Sequence, residues 1–408
     1  MTDRWKLNKE MFGPLWPYIQ DEDITDIDWD GDKLWLTSIK NGTYPVETDE
    51  IDNNFVNNFS RYVANNEAAD FNQIKNTLST ETDTLRITFV HESFARSGRC
   101  FAIRKSMPKL RFTAIGAIEG GYCDKDLMHL LVNAVKIHSN FAFCGEPNTG
   151  KTECAKFFST FIKDNEKVIT VEDCLEWHYK AINPGKRADE FKVNDSSDYI
   201  NAIKVALRLN PTWLMLSEAR SREFQYLIEA WSTGVHGFTT LHVGSVRDIP
   251  DRGANMVGQD LDATVVKNNI YSYLNIGILL TKEETEDGNI IRKIDQVGLF
   301  RHTDAGNECV IIVENGKFYK ERIPSWFLAT LTKNGITNPF FSEELQERID
   351  NEKKGIFYGI SDAEIEHLSS KTDEISAEAM SIDTAKMNIN NIMDTMKEMN
   401  IMDDIQRG

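Results

Sequence analysis

Short apolar runs separated by segments of helical period dominate the middle of the chain. Phe141-Ala142-Phe143-Cys144, Val168-Ile169-Thr170-Val171, Trp213-Leu214-Met215-Leu216 and Phe238-Thr239-Thr240-Leu241 each read as a strand buried on both faces. Between and before them, apolar residues recur at helical spacing. Leu127, Leu130, Leu131, Ala134 and Ile137 form one such face, Ala155, Phe158 and Ile162 a second, and Phe224, Leu227, Ile228 and Trp231 a third. Strands alternating with helices predict an α/β fold whose parallel-rich sheet is covered on both sides.

The first 105 residues follow a different rhythm. Trp29-Asp30-Gly31-Asp32-Lys33-Leu34-Trp35-Leu36 predicts a hairpin about an Asp-Gly turn. Phe55, Val56, Phe59, Tyr62 and Val63 predict a helix within 53–69, and Leu85–Val90 and Arg99–Arg104 predict two more strands. A small α+β domain over 1–105 is expected, then a Pro- and Gly-punctuated linker over 106–120, then the α/β domain over 121–345. From 346 to 408 a polar, acidic, helical tail is expected; Ile389, Ile392, Met393, Met396 and Met399 share one helical face there.

Composition narrows the function classes. The 408 residues carry a formal net charge of −18, which argues against a surface built for the phosphate backbone of nucleic acid. No apolar run approaches the ~20 residues that span a bilayer, and MTDRWKLNKE lacks a signal-peptide core, so a soluble intracellular protein is expected. Six cysteines without a C-x-x-C pair fit a reducing compartment and exclude a zinc ribbon.

The chemistry is concentrated at strand ends. Gly145-Glu146-Pro147-Asn148-Thr149-Gly150-Lys151-Thr152 matches G-x-x-x-x-G-K-[ST] between a predicted strand and a predicted helix. Backbone N–H groups of such a loop curl around phosphates at a helix N-terminus; Lys151 would neutralise charge, and the Thr152 hydroxyl would ligate Mg²⁺. Glu172-Asp173 and Glu218 follow apolar strands, where a carboxylate can hold Mg²⁺ or activate water; capping of the next helix is the lesser alternative for Asp173. Arg208, Arg220 and Arg222 lie nearby as sources of charge stabilisation. His236 and His242 bracket the strand 238–241, and His242 ends it on the edge shared by the other candidates.

Taken in order, four motifs resemble those of the secretion ATPase superfamily, the hexameric motors of type II and type IV secretion and type IV pili. They are GEPNTGKT (145–152), VITVEDCLEW (168–177), LRLNPTWLMLSEARSREF (207–224) and GVHGFTTLHVGS (234–245). ITDIDWDGDKLWL (24–36) and FAIRK (101–105) resemble the amino-terminal domain of the VirB11/CpaF branch. The resemblance implies a RecA-like P-loop NTPase domain behind the α+β domain, a hexameric ring, and ATP with Mg²⁺ in a site along Gly145–Glu153. It implies that Glu172 positions or activates water, Glu218 supports the metal, His242 senses the γ-phosphate, and Arg104 reaches the nucleotide from the first domain. Arg208 and Arg220 would make contacts between subunits.

The implied function is an ATP-driven motor of a secretion, conjugation or pilus-assembly machine. It would be cytoplasmic, bound peripherally to inner-membrane components, with no stable nucleic-acid binding. Ser217, in place of the glycine usual before the Walker B glutamate, is expected to narrow the pocket, and Pro147-Asn148 make the loop less glycine-rich than in relatives. A RecA-like nucleic-acid translocase, a P-loop kinase and a nucleotide-gated scaffold of low turnover are the competing readings.

Overall fold

In the computed structural model, residues 9–358 are described except 195–197, 258–260 and 287. The apolar face at Ile389–Met399 lies outside the described residues. Contacts divide the chain into Met1–Gly355 and Ile356–Gly408, and every element below belongs to the first unit.

Six antiparallel strands, β1 (Ile24–Trp29), β2 (Leu34–Ser38), β3 (Gly42–Val46), β4 (Thr77–Glu81), β5 (Leu85–Val90) and β6 (Cys100–Lys105), form a sheet ordered β3-β2-β1-β6-β5-β4. The expected hairpin joins β1 to β2, with Trp29 opposite Leu34. Its turn needs glycine: Gly31 has φ +105°, and a Cβ there would lie 2.4 Å from the Ser97 carbonyl oxygen. Asp52 caps the helix Asn53–Asn66 by accepting the Phe55 N–H at 2.7 Å, and Val56, Phe59 and Val63 bury against the sheet.

The second sheet has nine strands. They are β7 (Phe141–Cys144), β8 (Val168–Glu172), β9 (Ala188–Lys192), β10 (Trp213–Leu216), β11 (Phe238–Leu241), β12 (Ile276–Glu284), β13 (Ile290–Thr303), β14 (Gly306–Glu314) and β15 (Lys317–Phe318). The order is β15-β14-β13-β12-β7-β11-β10-β8-β9; from β12 to β9 all neighbours are parallel, and β12 to β15 form an antiparallel meander. Alternation sorts the side chains into two cores. Phe141, Phe143, Trp213 and Met215 join the helices Lys125–Lys136 and Lys151–Ser159 on one face. Ala142, Cys144, Leu214 and Leu216 join Tyr199–Arg208, Glu223–Ser232, Ile249–Val257 and Ala263–Tyr273 on the other. The fold is therefore α/β, with the parallel-rich sheet that the alternating runs predict.

Residues 106–120 are more structured than their Pro and Gly content suggests. They contain the helix Ala114–Glu119, whose first N–H groups, at Ala114 and Ile115, donate to the Glu352 carboxylate at 3.1 and 2.9 Å. Glu352 ends the helix Glu343–Glu352, which runs through position 346, the expected start of the tail; Leu345, Arg348 and Ile349 are buried in it. Both segments persist as structure because Ala114, Ala117, Leu345 and Ile349 share one apolar cluster.

All six cysteines are free thiols; Cys123, Cys144, Cys154 and Cys174 are buried, and Cys100 and Cys309 are partly exposed. Among the described residues no helix is long and apolar enough to cross a membrane.

Candidate functional site

Because β7, β8, β10 and β11 run parallel, their C-terminal ends share one edge of the sheet, where an α/β fold places its ligands. The loop after β7 follows the expected strand–loop–helix path, and the helix Lys151–Ser159 opens directly after Gly150. Gly145 (φ +141°) and Gly150 (φ +88°) take backbone conformations that side chains resist, and a Cβ on Gly145 would lie 2.4 Å from the Leu280 carbonyl oxygen. Asn148 takes φ +62°, which asparagine tolerates better than most residues.

Pro147, Asn148, Gly150, Lys151, Thr152 and Glu153 line a cleft of about 340 Å³. Thr25, Asp26, Thr37 and Arg104 of the first sheet form its opposite wall, and Phe112 and Tyr122 stand beside them. The Lys151 ammonium donates to the carbonyl oxygens of Gly145 (3.0 Å) and Glu146 (2.8 Å). Burial pulls its pKa down to about 8, against the opposing pull of Glu218. Glu146 is exposed, and its carbonyl also accepts the Thr149 hydroxyl at 2.9 Å. Glu153 turns from the loop to pair with Lys156 at 2.9 Å and to accept the Arg111 N–H at 3.3 Å.

The strand-end carboxylates divide differently from expectation. Glu172 is 1% exposed and is not among the residues lining the cleft. Its carboxylate accepts the N–H groups of Glu176 (2.7 Å) and Trp177 (3.1 Å), so it shapes the loop after β8 instead of facing substrate. Burial raises its pKa to about 7, and the two amides partly offset that. Of the acids in this segment, the one that lines the cleft is Glu176, which accepts the Thr152 hydroxyl at 3.0 Å. The turn held by Glu172 reverses the chain, so the side chain four residues later reaches the phosphate loop. Glu176 lay within VITVEDCLEW; the cue was a second acid just past the strand.

Glu218 and His242 meet in the cleft. His242 Nε2 lies 3.1 Å from Glu218 Oε1, and its Nδ1 lies 3.1 Å from the Gly145 carbonyl oxygen, so the imidazole links the ends of β10 and β11 to the loop. Arg220 Nη2 donates to Glu218 at 2.7 Å and its Nη1 to Asp173 at 3.0 Å. Within one chain, then, Arg220 binds these two carboxylates together. Arg104 lines the cleft and is oriented by Asp26, which accepts its Nε–H at 3.0 Å. Arg208 ends the helix Tyr199–Arg208, exposed and outside the cleft lining.

Two further expectations change. His236 lies just before β11, at the opposite end of that strand from His242, its ring tilted against that of His138 with centroids 4.8 Å apart. Burial and His138 lower its pKa to about 4. Ser217 does not narrow the cleft: its hydroxyl lies 3.3 Å from Tyr199 Oη, and it is not a lining residue. Arg111 and Arg292 line the cleft with no motif in the sequence to announce them.

Among the described residues no cluster of three His, Cys, Asp or Glu is arranged to hold a metal. The Thr152 hydroxyl and Glu176 carboxylate nevertheless suit Mg²⁺, which takes one or two protein oxygens and fills the rest with water and phosphate.

Known proteins resemble this chain over part of its length. An uncharacterised protein of Bacillus anthracis is 25% identical over 279 residues, covering 67% of this chain and 63% of that protein. The type IV secretion system protein VirB11 of Bartonella quintana is 26% identical over 181 residues, covering 41% of this chain and 50% of that protein. The chain thus spans only about half to two thirds of these relatives. In fold it is similar to the ATPase DotB of Legionella pneumophila (TM-score 0.53, 13% identity, 89% of this chain and 95% of that one). It is also similar to the pilus retraction motor PilT with bound ADP (TM-score 0.53, 13% identity, 86% and 91%). The profile of the type II/IV secretion system protein family matches residues 67–283, more than half of the sequence, and the chain belongs to that family.

Proposed function

We propose that this chain hydrolyses ATP and uses the cycle to move its amino-terminal sheet against its P-loop sheet, as one subunit of a homohexameric motor at a secretion or pilus machine. One observation carries the reading. Lys151, the Thr152–Glu176 pair, the Glu218–His242 pair and Arg104 line a single cleft whose two walls come from different sheets.

In this reading the loop amides and the ammonium of Lys151 bind the β- and γ-phosphates. Mg²⁺, held beside Thr152 and Glu176, would neutralise developing charge on the phosphates. Glu176 orients the attacking water and accepts its proton. Glu218 is kept in place by Arg220 and passes the state of the γ-phosphate to His242. Arg104 stabilises the transferring group from the opposite wall. Binding that favours the closed arrangement, followed by release, supplies the unequal affinity that a motor requires. The protein would work at the cytoplasmic face of a membrane, docked on inner-membrane components.

The test is phosphate release from ATP by the full chain, which should require a divalent cation and stay unaltered by DNA. Bound ATP without release would favour a scaffold, stimulation by DNA a translocase, and labelled phosphate on a small molecule a kinase. A pH dependence follows from Lys151. Only its protonated form attracts the triphosphate, and in the free protein the proton leaves near pH 8. The kcat/KM for ATP should therefore be flat below that pH and fall about tenfold per unit above it, measured by initial rates across pH 6.5 to 9.5. A flat profile to the top of that range would refute the assignment.

A further inference from the structure

Lys282 on β12 and Arg292 on β13 are direct cross-strand partners. Two like charges directly opposite in an antiparallel pair repel, so their placement needs a compensating partner. The partner is the phosphate loop. Lys282 Nζ donates to the Pro147 carbonyl oxygen at 3.2 Å, and Arg292 Nε donates to that of Asn148 at 3.1 Å. With Lys151 on Gly145 and Glu146, cations cap four consecutive carbonyls of the loop. Arg292 makes one contact more: its Nη1 donates at 2.9 Å to the carbonyl of Ile39, between β2 and β3 of the first sheet. A second contact lies beside it: the Ile290 N–H donates to the Lys40 carbonyl at 2.7 Å.

A phosphate loop must turn its carbonyls away from the anion so that its N–H groups face inward. Glycine does this through backbone freedom. This loop has proline and asparagine at its middle positions, one lacking an N–H and the other at φ +62°. We propose that Lys282 and Arg292 are positioning residues for nucleotide binding. They hold the Pro147 and Asn148 carbonyls outward, and Arg292 ties the state of the loop to the first sheet through Ile39. The proposal rests on the ATPase reading above, because it concerns how the same site grips a triphosphate. Lys282 lies outside the cleft lining, and Arg292, which lines it, spends its Nε–H and Nη1–H on backbone carbonyls.

The test compares Lys282→Ala, Arg292→Ala and Arg292→Lys in the full chain. Steady-state ATP hydrolysis, the Kd of a fluorescent ATP analogue and the thermal midpoint are read for each. Arg292→Ala should raise both KM and Kd about tenfold, the scale of a lost hydrogen bond from a charged donor, with kcat changed less than about twofold. Lys282→Ala should raise them about threefold, and Arg292→Lys, which can still cap Asn148, should fall between wild type and Arg292→Ala. Wild-type KM and Kd in Arg292→Ala would overturn the proposal. So would a loss confined to kcat, or a Lys substitution no better than Ala. If the wild-type chain binds the analogue but releases no phosphate, the hydrolysis reading fails while the Kd series still judges the clamp.

Discussion

Lys151→Ala is expected to reduce kcat/KM for ATP by roughly a thousandfold, the scale of removing a preorganised charge from a transferring phosphoryl group. The ammonium is buried, and its two carbonyl partners belong to the phosphate loop itself. The neighbouring cations are engaged elsewhere: Arg104 with Asp26, Arg220 with Glu218 and Asp173, Arg292 with the Asn148 and Ile39 carbonyls, Arg111 with the Lys105 carbonyl, and Lys105 with the carbonyls of Tyr18 and Asp21. The fold should tolerate the change, since the Gly145 carbonyl keeps His242 as a partner and burying a cation already carries a desolvation cost. The thermal midpoint should therefore move by only a few degrees while phosphate release disappears. Turnover at the wild-type rate in a folded Lys151→Ala protein would end the motor reading.

Glu176→Gln should lower kcat by about a hundredfold or more and raise KM by a smaller factor, because the carboxylate acts on water in the transition state and also stands beside the cation that would accompany the phosphates. Glu172→Gln should do the reverse. Both N–H groups go to one carboxylate oxygen, and an uncharged amide oxygen in its place accepts them more weakly, so loop stability should fall by about 1–3 kcal/mol, seen as a lower thermal midpoint, with kcat within about fivefold of wild type. The pair of variants separates the acid that faces the cleft from the one that shapes it. Loss of turnover in Glu172→Gln with normal turnover in Glu176→Gln would restore the assignment expected from sequence.

The contrast between these two acids shows how far one-dimensional pattern extends. VITVE marks a strand and its end, and that much is local. Which acid of VEDCLEW enters the cleft depends on a turn closed by hydrogen bonds from Glu176 and Trp177 to Glu172, which no period in the sequence encodes. His236 and His242 teach the same lesson through strand direction: six residues apart and flanking one parallel strand, they lie at opposite ends of it. Ser217 points toward Tyr199, a neighbour supplied by another helix.

By itself the sequence determined the elements whose signals are contiguous. These were the phosphate loop, the doubly buried strands, the helices between them, the hairpin of the first sheet, and hence the α/β class. Such features depend on neighbouring residues and on side-chain period, both visible along a line. Tertiary structure alone decided the wall opposite the loop, the Asp26–Arg104 and Arg220–Glu218–Asp173 contacts, and the Lys282–Arg292 pair that reaches the loop from more than a hundred residues away. Those depend on which strands become neighbours and on the register they adopt, and the burial of the whole chain sets both.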